Sequence, residues 1–502
     1  ASVVVARRAW GATALSSGAA DVAPDPLTSQ ASPLGARTPI AECARLLALR
    51  RPDHPYAALI DRLPSMREAL AFAASATGGL LSFADVGGEN RVLLSPFGVF
   101  KQSAGALSSI LAGDLLEAIG GTVGVVGFDR PGLDLDAPML AAGLEEEAAL
   151  AGLPLRALPI ECEWPRWTDQ PLLRHHEIAA RIEEDPVALA DAVERAMPSA
   201  RCSLVLLPPV LSRGDSADVL RILEERLGVR CAELPAGARS VPGVRLQERL
   251  ERRLREAGVR LVDGEVFLEG VLDEPSLVER PRRDWQEALR IRMTGGHEAR
   301  AAGNGWAREG RGSVENAPGV SGGSRDRGGG EASLPIAAGA CVLAAGKFIG
   351  GGVQRHGRLR EPIFDLPIWV DGAVDEGRWL GDTTRHAFLA RQPALAAGVR
   401  VDANLRPLLR DGSPFDDRVF ACGGVLAGND PAADGAGIGL AVFTGWLAGR
   451  EAAKRRLPRT EEPARARVSH SPFEARVVDR PRPEEDRDGR GAGEAAGGGD
   501  AP

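Results

Sequence analysis

The sequence predicts an α/β fold, and three observations carry that prediction. Short apolar runs of strand type recur along the chain, at residues 2–6 (SVVVA), 122–128 (TVGVVGF), 203–207 (SLVLL), 340–344 (ACVLA) and 419–422 (VFAC). Helical patterns lie between them; the clearest is residues 246–257, where Leu246, Leu250 and Leu254 repeat every four residues among charges. The last strand enters a glycine turn, Gly423-Gly424, and then a helix whose opening, residues 435–441, is small and apolar. Strands alternating with helices read as a parallel sheet, and 502 residues exceed one ordinary domain. The expected architecture is a Rossmann-like domain in two parts, residues 1–50 and 241–450, around an inserted α/β cap or substrate domain at 51–240. A disordered tail is expected at 451–502.

Composition narrows the function classes. Hydrophobic residues make up 44% of the chain, enough for a real core, and the net charge of −8 comes without a basic block of nucleic-acid type. Lysine occurs only at Lys101, Lys347 and Lys454, and arginine carries the remaining positive charge. The six cysteines, Cys43, Cys162, Cys202, Cys231, Cys341 and Cys422, stand singly. With no C-x-x-C pair, the chain supports neither iron–sulfur nor zinc ligation from within, and buried thiols in a reducing compartment are expected. No signal peptide or long uncharged apolar span is present, so membrane contact is expected to be peripheral or through a partner.

The N-terminal strand, residues 2–6, has no lead-in. A nucleotide-binding fold begins with a strand, a G-x-G-x-x-G turn and a helix, so its first βα unit is expected to be missing, either from the fold or from this sequence. Arg7-Arg8 follows where a ribose-binding acid would stand; arginine disfavours a ribose diol and tolerates a phosphate. Ser16-Ser17-Gly18 then offers hydroxyls and a close backbone approach, although an ordinary loop explains it equally well.

Residues 41–50 and 64–77 read as helices, with His54 between two prolines in the loop that joins them. A strand at 122–128 and a small-residue helix from about Ala137 form an α/β unit, but Gly124 and Gly127 lack the spacing of a dinucleotide fingerprint. His175 and His176 are adjacent on a helix and face different ways, a poor metal pair. Helix 246–257 ends at Gly258 and a sheet region resumes at Val259. Residues 295–333 are Gly-rich and aperiodic and read as a disordered insertion at a β-ribbon tip. The strand 340–344 runs into Ala345-Gly346, then Gly350-Gly351-Gly352 and Arg358-Leu359-Arg360-Glu361-Pro362-Ile363, where an arginine in a tight segment suits either an anion or a surface ion pair.

The closing stretch, residues 419–449, organises the rest. A helix opened by bare backbone presents free N–H groups and partial positive charge, which suits an anion or an electron-rich ring. Strand, glycine turn and glycine-opened helix is also how flavoproteins close a cofactor site. Close packing of a helix on a sheet is the competing explanation.

Several stretches, taken in order and spacing, resemble the B subunit of anaerobic glycerol-3-phosphate dehydrogenase, a flavoprotein family. They are residues 10–22, His54-Pro55-Tyr56, 94–98, 123–128, 242–247, 342–348, Arg360-Glu361-Pro362-Ile363, Leu405-Arg406-Pro407 and 423–439. The resemblance implies flavin-dependent oxidation of glycerol 3-phosphate to dihydroxyacetone phosphate, with electrons passed to quinone. It implies FMN, with FAD as the alternative, an FAD-containing catalytic subunit and an iron–sulfur membrane-anchor subunit as partners, and a position on the inner face of the cytoplasmic membrane. Within the matching stretches, His54 is the candidate proton acceptor, and Arg360 and Arg406 are the candidates for the phosphate. His386 and Arg391 are weaker candidates. The expected cofactor shell is Ser16, Ser17, Gly18, Ala345, Gly346, Gly423, Gly424, Gly437 and Ile438. Two other readings stay open: a cofactor-free scaffolding subunit of the same complex, and a fumarate-reductase-type flavoprotein with another substrate.

Overall fold

The computed structural model describes residues 2–6, 11–25, 38–129, 135–165, 167, 173–199, 201–237, 240–268, 289–293, 333–335, 338–377, 380–387 and 390–455. Arg7, Arg8, Trp10, nearly all of the 295–333 insertion and the tail from 456 lie outside the described residues.

The run TVGVVGF is buried because it is the inner strand of a four-stranded parallel sheet. Thr122–Phe128 lies between Arg156–Cys162 and Leu204–Leu207, and Arg230–Glu233 flanks the latter. Alternate residues serve opposite faces. Val123 and Val125 pack with Leu140 and Leu144 of helix Ala137–Leu150. Val126 packs with Ile178, Leu189 and Leu223 of three helices on the other face. Burial on both faces explains a continuous apolar run in place of alternation. Helix Ala137–Leu150 starts where it does because Asp136 Oδ1 accepts the Met139 N–H at 2.8 Å.

The N-terminal strand Val3–Ala6 runs parallel to the start of Arg260–Leu268, with Val3 opposite Arg260 and Ala6 opposite Asp263. The longer strand continues into an antiparallel ribbon with Leu289–Met293, which pairs in turn with Ser333–Pro335. The 295–333 insertion thus connects two neighbouring antiparallel strands. Cys341–Leu343 runs parallel to Val419–Ala421, with Leu343 opposite Ala421. Helix Ile438–Ala453 packs over this pair through Leu440, Phe443 and Leu447.

Two expectations need correction. The boundary placed at residue 51 does not separate two cores. Ile40, Tyr56, Met66 and Leu70 share one core with Leu343, Phe420 and Phe443, and every described residue belongs to one compact unit. Helices Ile40–Arg50 and Met66–Ala76 therefore pack with the C-terminal sheet, and the parallel sheet of the insert begins at Thr122. The closing helix begins at Ile438, three residues after Gly435. A separate helical turn, Pro431–Asp434, precedes it and ends at Gly435 in the left-handed region, φ 55°.

Candidate cofactor site

The glycines of the closing stretch meet the loop after strand Cys341–Leu343. A Cβ placed on Gly424 would stand 3.4 Å from the Gly346 Cα, so the two turns lie backbone to backbone. Gly423 has φ 69°, a conformation that favours glycine, and its N–H donates to Thr444 Oγ1 of the closing helix at 2.9 Å. The Gly350–Gly352 run also has a steric cause. A Cβ at Gly350 would fall 1.9 Å from the Ala345 oxygen, and one at Gly352 would fall 2.1 Å from the Gly346 oxygen. The loop can fold back beneath Ala345 and Gly346 only without side chains.

The other side of the shell comes from the N-terminal segment. The Asp21 carbonyl accepts the Gly437 and Gly439 N–H groups at 3.1 and 3.0 Å, and a Cβ on Gly439 would lie 2.5 Å from Val22 Cγ2. The Ile438 N–H finds no acceptor among the described residues, and the space beside Gly437 is open to 4 Å. Upstream, Ser16 and Ser17 present carbonyls to Ser240 Oγ and the Ala236 N–H, while Gly18 (φ 85°) packs on Ile110. The segment 16–22 thus spans from helix Val241–Glu256 to the start of helix Ile438–Ala453. All nine expected shell positions are described, and they fall on segments joined through these contacts. These residues are chemically compatible with a flavin: most of the expected positions are glycine, the Ile438 and Leu440 N–H groups have no acceptor among the described residues, and the positive helix end suits an electron-rich ring.

A charged network braces the loop ahead of the helix. Arg51 bonds Asp53 (3.0 and 2.8 Å) and Asp434 (2.8 Å), and Arg51 and Arg391 both donate to the Gly428 carbonyl, at 3.3 and 2.7 Å. Asp430 caps the Pro431–Asp434 turn and also accepts the Gln392 N–H at 3.1 Å. Burial pushes the Asp53 carboxyl up, but the bond and charge of Arg51 and the charge of Arg391 outweigh it, leaving the pKa below its usual value. The sequence marks Asp430-Pro431 only as a turn and gives no sign of Arg51, Asp53 and Asp434, because acid and base come from segments far apart in the chain.

The three candidate reacting residues fare differently. His54 is buried, and its Nδ1 accepts the Tyr56 N–H at 3.2 Å as the cap of helix Pro55–Ala58. Its Nε2 lies 3.3 Å from Asn429 Oδ1. An Nδ1 acceptor leaves the proton on Nε2, so no lone pair is free and the ring is a neutral cap, not a proton acceptor. Burial pushes its pKa down to about 3. Arg406 is held by Asp402 at 2.7 Å and by Asp417. Arg360, on hairpin strand Arg358–Arg360, has a buried Nε and no hydrogen-bond or ion-pair partner among the described residues. Its neighbour Glu361 is buried, which pushes its pKa up to about 7, and it anchors a turn by accepting the Ile363 and Phe364 N–H groups at 2.9 and 2.7 Å.

Lys347, which follows Gly346, carries no signal in the sequence beyond its rarity; its Nζ donates to the Leu426 carbonyl at 2.8 Å. Burial drives its pKa down to about 7. His386 and Arg385 lie on an exposed turn held by Gln392, whose Oε1 accepts the Arg385 N–H at 2.6 Å and whose Nε2 donates to the Ala387 carbonyl at 2.9 Å. Among the described residues no three His, Cys, Asp or Glu side chains come together as a metal site, and no helix is long and apolar enough to cross a membrane.

The chain is 30% identical over 274 residues to a probable B subunit of anaerobic glycerol-3-phosphate dehydrogenase from Halobacterium salinarum, covering 54% of this chain and 52% of that one. It is 27% identical over 425 residues to the B subunit of anaerobic glycerol-3-phosphate dehydrogenase from Yersinia pestis, covering 82% of each. The B subunit of the Vibrio cholerae enzyme is 28% identical over 284 residues, 55% of this chain and 52% of its own. The matched segment thus spans about half of the Halobacterium and Vibrio relatives and most of the Yersinia one. No solved structure matches. The model of the FAD binding domain matches residues 1–440, and the chain belongs to that family of flavin-binding proteins.

Proposed function

We propose that the protein is a flavin-bearing subunit of a quinone-linked anaerobic glycerol-3-phosphate dehydrogenase. It would oxidise glycerol 3-phosphate to dihydroxyacetone phosphate beside its own flavin. The observation that carries this reading is the meeting of Gly346 and Gly424 under a closing helix that leaves the Ile438 N–H unused. The names of the similar proteins supply the substrate and the subunit designation. The family match favours FAD over FMN.

Bound there, the flavin supplies a two-electron acceptor for hydride. The chain supplies the rest. Ala345, Gly346, Gly423 and Gly424 would let the flavin approach the backbone, Gly437 would leave room at the helix end, and the Ile438 N–H would be free to donate to it. Arg360 grips the substrate phosphate, since its buried Nε has no hydrogen-bond partner and no carboxylate pairs with it among the described residues. Arg406 is so spent and acts as scaffold for the 402–417 turn. Electrons leave through an FAD-containing catalytic subunit and an iron–sulfur membrane-anchor subunit, which would hold the protein on the inner face of the membrane.

The test is the visible spectrum of the purified chain and chromatography of the heat-released chromophore. About one flavin per chain, bleached by glycerol 3-phosphate, is expected. A protein that stays colourless after flavin is added overturns the reading in favour of a cofactor-free scaffolding subunit. A flavin bleached by another substrate and not by this one points to a fumarate-reductase-type relative.

A further inference from the structure

Oxidation of a secondary alcohol needs a proton acceptor, and His54 and Glu361 are both occupied as backbone caps. One group at the cofactor shell is not. Lysine is rare in this chain, three of 61 basic residues, and the distinction matters because arginine does not deprotonate in proteins whereas a buried lysine does. Lys101 is paired with Asp21 at 2.5 Å and Lys454 with Glu451 at 2.8 Å. Lys347 has no carboxylate within ion-pair reach among the described residues; its one bond is to the Leu426 carbonyl.

The position is as specific as the partner. Lys347 follows Gly346 (φ 68°), and its own N lies 3.8 Å from where a Gly424 Cβ would be. Leu426 caps the Gly423–Val425 turn, so the bond from Nζ ties the two glycine turns together at the rim of the shell. A neutral amine can keep one N–H on that carbonyl and still offer its lone pair.

We propose that Lys347 is the proton acceptor of this site, a role that rests on the flavin reading above. As the substrate carbon gives up its C–H pair as hydride to the flavin, the O–H pair becomes the second bond of the carbonyl. The hydroxyl proton passes to Nζ, giving an ammonium. The alcohol loses two electrons and the flavin gains two. The surrounding charges set the amine for this work. Burial favours the neutral form and outweighs the rest; Asp430 and Asp434 favour the ammonium, and Arg391 opposes it. Arg51 and Asp53, paired with Asp434 and Arg391, complete the charged neighbourhood.

Reductive 13C-methylation of the full chain tests this directly, since three lysines and the α-amino group give four signals, which single variants assign. The signal lost in Lys347→Arg is expected to titrate near 7, against above about 10 for an ordinary lysine. In the flavin-loaded protein, Lys347→Arg and Lys347→Met are expected to keep their flavin content while bleaching by glycerol 3-phosphate slows about 100-fold or more, the usual yield of a general base. Small primary amines should restore part of the rate in Lys347→Met. A Lys347 signal titrating like an ordinary lysine, or an arginine variant that bleaches at the wild-type rate, overturns the inference while leaving the flavin reading intact. A wild-type chain that takes up no flavin overturns both.

Discussion

His54 shows how one residue's role depends on its bonds. Its pKa in the folded chain, about 3, lies below the ordinary value of 6.5. The depressed value means that the unfolded chain binds the proton first as pH falls. His54 therefore contributes stability that is full above about pH 6.5, declines as pH falls towards 3, and is gone below it. Urea unfolding between pH 7 and pH 3 should show this slope in the wild type, and His54→Asn should flatten it. Tyr56, two residues on, is buried and donates its hydroxyl to the Val22 carbonyl at 3.0 Å. Tyr56→Phe leaves that carbonyl unpaired and should cost roughly 1–3 kcal/mol in the same measurement. Arg360 and Arg406 separate the phosphate role from a scaffold role. Arg360→Ala should raise the KM for glycerol 3-phosphate at least about tenfold, the scale of one charge-assisted bond. Arg406→Ala should leave KM unchanged and lower the melting temperature; equal effects on KM would refute the assignment.

At the scale of elements, the site is a meeting of turns, and glycine decides how near they come. A Cβ on Gly428 would lie 1.8 Å from the Asp53 oxygen, and the residue has φ 84°, so the 51–54 and 428–434 loops touch only if this position is glycine. Gly428→Ala should destabilise the chain by several kcal/mol, about the scale of a strained, displaced backbone. Gly437 is the contrasting case, because among the described residues no atom beyond its chain neighbours lies within 4 Å of a Cβ there. Gly437→Leu should keep the fold by circular dichroism and lose the flavin colour. A variant that holds its full flavin load would place the cofactor elsewhere.

At the scale of the whole molecule, one buried ion pair couples the four-stranded parallel sheet to helix Val241–Glu256. Arg245, on helix Val241–Glu256, bonds Glu233 at the end of strand Arg230–Glu233 at 2.8 Å, and both are buried. Ser109, Ser216 and the Leu211 N–H complete the shell of Glu233 at 2.5, 2.9 and 3.0 Å. Removing one partner strands a buried charge, so Arg245→Met should cost about 3–5 kcal/mol, and adding Glu233→Met should recover much of it. A double variant no better than the single one would show that the pair holds the two parts in register and does more than balance charge.

Much of this protein was legible in its sequence because it depends on neighbours along the chain. Strand Thr122–Phe128 and helices Ile40–Arg50 and Ala137–Leu150 follow from local pattern, and the glycine turns follow from runs that nothing else tolerates. The same runs, in order, carried the family resemblance. Contacts between distant segments were not legible. That His54 is capped shut, that Arg406 is spent on Asp402 and Asp417 while Arg360 is not, and that residues 40–70 share a core with the C-terminal sheet are all decided when far-apart segments meet. Lys347 is the sharpest case. In the sequence it is a rare lysine after a glycine, and only the folded chain sets its Nζ on the Leu426 carbonyl, half-buried and beyond ion-pair reach of every described carboxylate, which brings its pKa down to about 7.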